Sequence, residues 1–363
     1  ISFAKAVKNH GMTFIGPDPK HLGTFGDKLS AKAAAADAGV PLIPGSEGAI
    51  ADVETAAEVA KDIGYPIMLK AAHGGGGKGM RVVEDEETLR RVFELTSSEA
   101  LAAFGNGDVF MERFLPTPRH IEVQVAGDAH GVALHFGERD CSMQRRHQKI
   151  IEEAPAIGLP EKLRDGIRAA AAQLVAHTGY CTVGTVEFLV QGDEFFFLEV
   201  NPRIQVEHPV TEMVTGVDLV QLQIRLAAGE PMPMKQEDVT ITGHSIEVRI
   251  NAEDPWTFLP SPGTITGYHA PGGPGIRVDS AVHEQAMVQP YYDSLVAKLI
   301  ATADDRETAI RKMLWAMEQF VVEGIRTTLP LQQTLMAGEA FGDAKFHTRY
   351  VDTWLSERSM QEG

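Results

Sequence analysis

"YPIMLKAAHGGGGKGMRVV", residues 65–83, sets Gly74, Gly75, Gly76, Gly77 and Gly79 between two apolar runs. Four glycines in a row lose chain entropy on folding and bring no side chain to a core. Two phosphate-binding patterns fail on spacing. A P-loop needs G-x-x-x-x-G-K-[ST], but Gly77-Lys78 has Ala72 five residues before it and Gly79 after it. Gly74, Gly76 and Gly79 satisfy G-x-G-x-x-G literally, as any glycine run does, yet that fingerprint must open a helix. "MRVV" is β-like, and helical spacing starts only after Glu84. The unit therefore reads strand, glycine loop, strand, with Pro66 tolerated at the strand start. A bare backbone flap can donate N–H groups to phosphates. A hairpin tip gives the same pattern, so the loop alone does not decide.

The 363 residues suggest two or three domains. A net charge of −17 argues against a general nucleic-acid or anionic-membrane binder. Cys141 and Cys181 make neither a disulfide scaffold nor a zinc site, which suits a reducing, cytoplasmic compartment. No apolar run is long enough for a membrane span and no signal peptide is visible. The chain starts at Ile1, not Met, so the natural protein is expected to begin upstream.

Outward from the glycines the chain reads as α+β. A helix and a strand ("MTFIG") fill residues 1–16, and an Ala-rich helix runs from 27 to Gly39. Helix 52–63, the two strands, a helix to about 104 and the strand "GDVFMERFL" form a small module over 42–115. β-hairpins follow at 119–143, turning at Gly127-Asp128, and at 182–201. Helices are expected over 160–177, 209–227 and 305–319, with short strands between 240 and 300.

The second hairpin, "TVGTVEFLVQGDEFFFLEVN", carries the most chemistry. If Gly192-Asp193-Glu194 form a three-residue loop, Glu187 directly faces Glu199 and Asn201 shares that face. Opposed carboxylates repel, and with an amide oxygen they suit Mg²⁺ or Mn²⁺ bound with phosphates. A two-residue loop would put the glutamates on opposite faces; a solvated outer face is the plain alternative. "NPRIQVEHP", 201–209, adds Arg203, a fork for a small oxyanion, and Glu207, a candidate general base. "ERDCSMQRRHQK", 138–149, is a basic cluster in an acidic chain, a polyphosphate site or a solvated face. Lys70 ends the strand before the flap, within reach of phosphates it covers. Lys28 and His120 have ordinary structural readings taken singly, and Arg249, on a strand of alternating pattern, is either an ion-paired core arginine or an anion ligand.

Together these pieces resemble a family. "FGDKLSA", "YPIMLKAAHGGGGKGMR", "RHIEVQV", "ERDCSMQRRHQK", "EEAPA", "GTVEFLV", "EVNPRIQVEHPVTE", "EVRINAEDP", "FLPSPG" and "PYYDS" occur in the order and spacing of biotin carboxylase. That is the ATP-grasp component of acetyl-CoA carboxylase and related carboxylases, and the resemblance spans essentially the whole chain. It implies an ATP-grasp fold. Residues 1–41 would hold the tail of a Rossmann-like N-terminal domain and a connecting helix, 42–115 the flap domain, and 116–357 a larger mixed α/β C-terminal domain. Lys28, Lys70, His120, Gln144 and His147 would contact the nucleotide, Gly76 and Gly77 would close over it, and Glu112, Arg113, Phe114 and Leu115 would meet the adenine. Glu187, Glu199 and Asn201 would hold Mg²⁺ or Mn²⁺. Lys149, Arg203, Gln205 and the Val206 backbone would hold bicarbonate, Glu207 would deprotonate it, and Arg249 would stabilise the biotin enolate. The implied cofactors are ATP, the divalent metal and bicarbonate, with biotin on a carrier protein as substrate. Implied partners are the carrier, carboxyltransferase subunits and a second copy of the full-length chain. Relatives often have Lys where Arg113 stands. Lys235, in "PMPMKQ", lacks the context of a biotin attachment site and reads as structural. Rival readings are another ATP-grasp carboxylate–amine ligase and a catalytically silent carboxylase subunit.

Overall fold

The computed structural model describes residues 1–71 and 80–362, so the expected flap glycines Gly76 and Gly77 lie outside the described residues. Three helices open the chain: α1 (Ser2–Asn9), α2 (Pro19–Gly26) and α3 (Lys28–Asp37). Asp18 and Asp27 cap the last two by accepting from backbone N–H groups. No strand forms over "MTFIG". An extended segment without a neighbouring strand leaves its N–H and C=O groups to water, and Met12 and Ile15 are exposed.

The glycine-flanking strands belong to a small module of α4 (Val53–Ile63), β1 (Ile67–Ala71), β2 (Met80–Val83), α5 (Glu86–Phe104) and β3 (Val109–Arg113). β1 lies between β2 and β3, antiparallel to both. Ile67, Leu69 and Met111 pack against Ala56, Ala60, Leu89 and Phe93 of the two helices. Strand alternation turns Met68, Lys70 and Glu112 to the other face, which lines a cavity.

Next come β4 (Arg119–Gly127), β5 (Ala133–Arg145), β6 (Gln148–Ala154), α6 (Glu161–Thr178), β7 (Thr182–Gln191), β8 (Glu194–Asn201), α7 (His208–Thr215), α8 (Leu219–Ala227) and β9 (His244–Asn251). Short strands β10 (Gly263–Thr264), β11 (Gly267–His269), β12 (Ile276–Ser280) and β13 (Met287–Val288) lead to β14 (Leu295–Ala303), α9 (Arg306–Gln319), β15 (Val321–Glu323), α10 (Leu329–Ala337), α11 (Glu339–Gly342) and α12 (Tyr350–Glu362). One antiparallel sheet runs β12-β14-β9-β6-β5-β4-β7-β8. Ile121, Val123 and Val125 of β4 pack on Leu163, Ile167 and Leu174 of α6. α9 and α10 cover β9 and β14 with Met313, Met317 and Leu335. The helix expected over 209–227 is two helices. Gly216 takes φ +72 and closes α7, and Asp218 caps α8 by accepting from the Gln221 N–H. No described helix is long and apolar enough to cross a membrane.

Candidate functional site

The hairpin register has a physical surprise. Its loop is a two-residue turn, Gly192-Asp193, with Gln191 opposite Glu194, not the expected three-residue loop. That turn alone would throw Glu187 and Glu199 onto opposite faces. A β-bulge at Leu198 absorbs one residue: Phe188 pairs with Phe197, yet Glu187 pairs with Glu199. Leu198 and Glu199 then line the same cavity. Asn201 Nδ2 reaches Glu187 at 2.9 Å and Glu199 at 3.2 Å.

That cavity, about 860 Å³, lies between the small module and the large sheet. From the module come Lys70 and the run Glu112, Arg113, Phe114 and Leu115. From the sheet come His120, Gln144, His147, Lys149, Glu187, Glu199 and Asn201, with Arg249 on β9. Lys28 at the start of α3, and Arg203, Gln205, Val206 and Glu207 before α7, complete the wall. Every candidate residue among the described ones thus meets in one place.

Lys149 is the electrostatic centre. Its ammonium lies 2.6 Å from Glu122, 3.1 Å from Glu187 and 2.6 Å from Glu207. Burial opposes its charge, but these carboxylates outweigh burial and hold it well above the ordinary lysine value. Burial likewise works against Glu122, yet Lys149 and Arg139 bring it down to about 2. Glu187 is also lowered, against its burial, by His120 and Lys149. Glu199 is raised, by burial and then by the Glu187 charge.

Arg139, fully buried, donates to Glu122, Gln124, Thr211, Thr185 and Gln205. Gln205 in turn donates to Glu187 at 2.8 Å. The arginine therefore orients the site from behind instead of meeting a ligand. Glu207, 1% exposed, is fixed from two sides by Lys149 and by Arg249 Nη2 at 2.8 Å. Arg203 is exposed and bonds only to Asn201 and a backbone carbonyl among the described residues, so its fork faces no carboxylate. Lys298 donates to the Val206 carbonyl at 2.7 Å. His147 sits with Arg146 in the β5–β6 turn, both at positive φ, a strained geometry for residues with a Cβ.

On the module side Glu112, 2% exposed, is gripped by both Lys32 and Lys70. Burial, with Lys32 and Lys28 adding, lowers Lys70 to about 7, while the Glu112 contact works the other way. Sequence reasoning missed Lys32, which lies one helical turn after Lys28 on α3. It also missed Glu122, although His120, Glu122 and Gln124 alternate with Ile121 and Val123 along β4. That alternation was the available signal.

The donor set fits a divalent cation. Two carboxylates and an amide that can offer Oδ1 face one another beside phosphate-sized space. His120, Glu122 and Glu187 also present ligand atoms within 4.8 Å of one another. Lys149 already occupies Glu122 and Glu187, so the Glu199 side is the better cation site.

A family model described as "Carbamoyl-phosphate synthase L chain, ATP binding domain" matches residues 27–235, and one described as "Biotin carboxylase C-terminal domain" matches 247–353. The chain is 51% identical over 354 residues to the biotin carboxylase of Haemophilus influenzae, covering 97% of this chain and 79% of that protein. It is 50% identical over 354 residues to the biotin carboxylase of Pseudomonas aeruginosa, again covering 97% and 79%. Among solved structures, the biotin carboxylase domain dimer of the Hydrogenobacter thermophilus 2-oxoglutarate carboxylase, with MgADP, ADP and bicarbonate, superposes with TM-score 0.91 at 48% identity. It covers 97% of this chain and 78% of that one.

Proposed function

Because the chain belongs to the biotin carboxylase family, ATP-grasp ligases that carboxylate biotin with ATP, Mg²⁺ and bicarbonate, we propose how its own residues divide that work. Lys28 and Lys70 bind the nucleotide, and Lys70 leaves Glu112 for the phosphates while Lys32 stays as the counter-ion. The strand end Glu112–Leu115 meets the adenine; His120, Gln144 and His147 meet ribose and phosphates. Glu187, Glu199 and Asn201 hold the divalent cation, which neutralises charge on the ATP phosphates. Lys149, Arg203, Gln205 and the Val206 backbone hold bicarbonate, and Glu207 takes its proton.

A bicarbonate oxygen then attacks the γ-phosphorus and the bond to ADP breaks, giving carboxyphosphate. This splits into CO₂ and phosphate, the phosphate takes the biotin N1 proton, and the enolate, facing Arg249, attacks CO₂ to form carboxybiotin. The biotin would arrive on a carrier protein and leave for a carboxyltransferase. A second copy of the chain would complete the assembly, in the cytoplasm.

The observation that supports this reading is Glu207, buried and held between Lys149 and Arg249 in a cavity that also gathers the carboxylate pair. The test is phosphate release from Mg-ATP with and without bicarbonate, then with free biotin. Release that needs bicarbonate and rises with biotin is expected. Turnover indifferent to both would overturn the bicarbonate and biotin assignments.

A further inference from the structure

Behind Arg249 lies a second pair of glutamates that the reaction as described does not use. Glu152 on β6 and Glu247 on β9 are direct cross-strand partners, at the spacing where side chains on one face meet. Both are fully buried. Glu152 Oε1 accepts from Arg249 Nε at 2.5 Å. Its Oε2, and both oxygens of Glu247, have no hydrogen-bond partner among the described residues. Three unpartnered carboxyl oxygens in one buried spot are costly unless a proton joins them.

We propose that Glu152 and Glu247 share one proton and, through Glu152, position the Arg249 guanidinium for the reaction at biotin. The Glu247 carboxyl then donates to Glu152 Oε2. Glu152 stays an anion toward Arg249 Nε, and Arg249 Nη2 holds Glu207. The order Glu247, Glu152, Arg249, Glu207 fixes a flexible side chain at two of its nitrogens. The proposal rests on Arg249 serving biotin as read above.

The surroundings favour a proton over a second charge. α7 packs across β6, β9 and β14, with Val210 and Val214 against Ala154 and Ile300. Ile300 is the neighbour of Glu247 on its other side. The charged groups acting on the pair are Arg249, then Lys298 beside it on β14, Lys149 on β6, and Glu207 just before α7, while His208 and Glu212 on α7 lie against each other. Arg277 and Asp279 on β12 lie beyond Lys298, and Glu153, His244 and Arg306 pair with one another on the opposite face. Lys298 is engaged by the Val206 carbonyl and Asp279, and Lys149 by its three carboxylates. Arg249 is left to face both Glu152 and Glu207, and a charged Glu247 would pull it further back. Burial raises Glu152 to about 7 and Glu247 well above its ordinary value, in the same direction.

The experiment is biotin-dependent phosphate release against pH in the intact protein, for wild type, Glu247→Gln and Glu247→Leu. Infrared spectra of wild type and E247Q accompany it. Wild-type kcat is expected to fall on the alkaline side as the pair loses its proton. E247Q keeps a permanent donor to Glu152 and should remove that fall. E247L has no donor and should lose roughly 10²-fold in kcat without a change in KM for Mg-ATP. The infrared C=O band of a protonated carboxyl should be present near neutral pH, titrate away, and be missing from E247Q. One alkaline limb shared by all three proteins would overturn the positioning role. An absent band would overturn the shared proton. A wild type that ignores biotin would sink the biotin reading and the positioning role with it, while the band still decides the proton.

Discussion

Glu187 and Glu199 face each other across β7 and β8, and Glu152 and Glu247 face each other across β6 and β9 of the same sheet. The first pair borders the cavity, with Asn201, His120 and Lys149 around it. The second lies under the apolar side of α7, with one guanidinium at its edge. Like charges opposed on a sheet must be compensated. Where solvent and ligands reach, a cation can do it; where they do not, a proton is the cheaper answer. Glu207 stands between the two pairs, touching Lys149 of one and Arg249 of the other.

Removing that link should have the largest effect. Glu207→Gln is expected to lower carboxylation roughly 10³-fold while Mg-ATP still binds, since the proposed general base is lost and the proposed nucleotide contacts remain. Isothermal titration with Mg-ATP beside the carboxylation rate would show it. Full carboxylation by E207Q would remove the base from Glu207 and uncouple the two pairs.

The pairs themselves separate next. Glu187→Gln should raise the Mg²⁺ concentration for half-maximal turnover about 10–100-fold, whereas Glu247→Gln should move the pH profile instead. A Mg²⁺ titration of both variants checks this. If both proteins respond alike to Mg²⁺, the distinction between an accessible cation pair and a buried proton pair fails.

Folding stability should carry the same contrast, with opposite sign. Glu152, raised to about 7, and Glu247, raised well above its ordinary value, share one proton in the folded state, which the unfolded chain releases above the ordinary carboxyl value. The pair's stabilisation is full below that ordinary value and is lost as pH rises toward 7, about 2 kcal/mol between pH 5 and pH 8. Glu122 is lowered to about 2, so its stabilisation is present at neutral pH and lost as the medium is acidified toward that value. Urea midpoints across pH should therefore flatten on the alkaline side in E247Q and on the acid side in Glu122→Gln. A uniform offset at every pH in E247Q would mean that the pair holds no proton.

The two pairs were unequally visible in the sequence. Glu187, Glu199 and Asn201 announced themselves by hairpin spacing, although the expected loop was one residue too long and the bulge at Leu198 restored the pairing. Local turn chemistry does not reveal a bulge, because the bulge answers to the cavity that Leu198 and Glu199 must both face. Glu152 and Glu247 sit in "EEAPA" and "HSIEVRINAEDP", where polar residues on alternate positions look like any solvated face. Only α7, arriving from 56 residues beyond Glu152 at His208, makes that face an interior. The same limit explains "MTFIG": its apolar content suggests a strand, but no partner strand lies beside it among the described residues.

The cover itself gives the smallest and most specific effect. Val214 is 3% exposed and packs with Val210, Ala154 and Ile300. Val214→Ala removes two buried methyl groups and should cost about 1 kcal/mol of stability in a urea titration. The gap lies close enough to Glu247 to admit water, which solvates the ionised form and brings its raised pKa back toward the ordinary value. The alkaline fall in biotin-dependent turnover should then begin at lower pH than in wild type, although Val214 touches no substrate. If V214A loses stability but its pH profile stays in place, the apolar roof is not what holds the proton, and the repulsion from Glu152 alone must account for it.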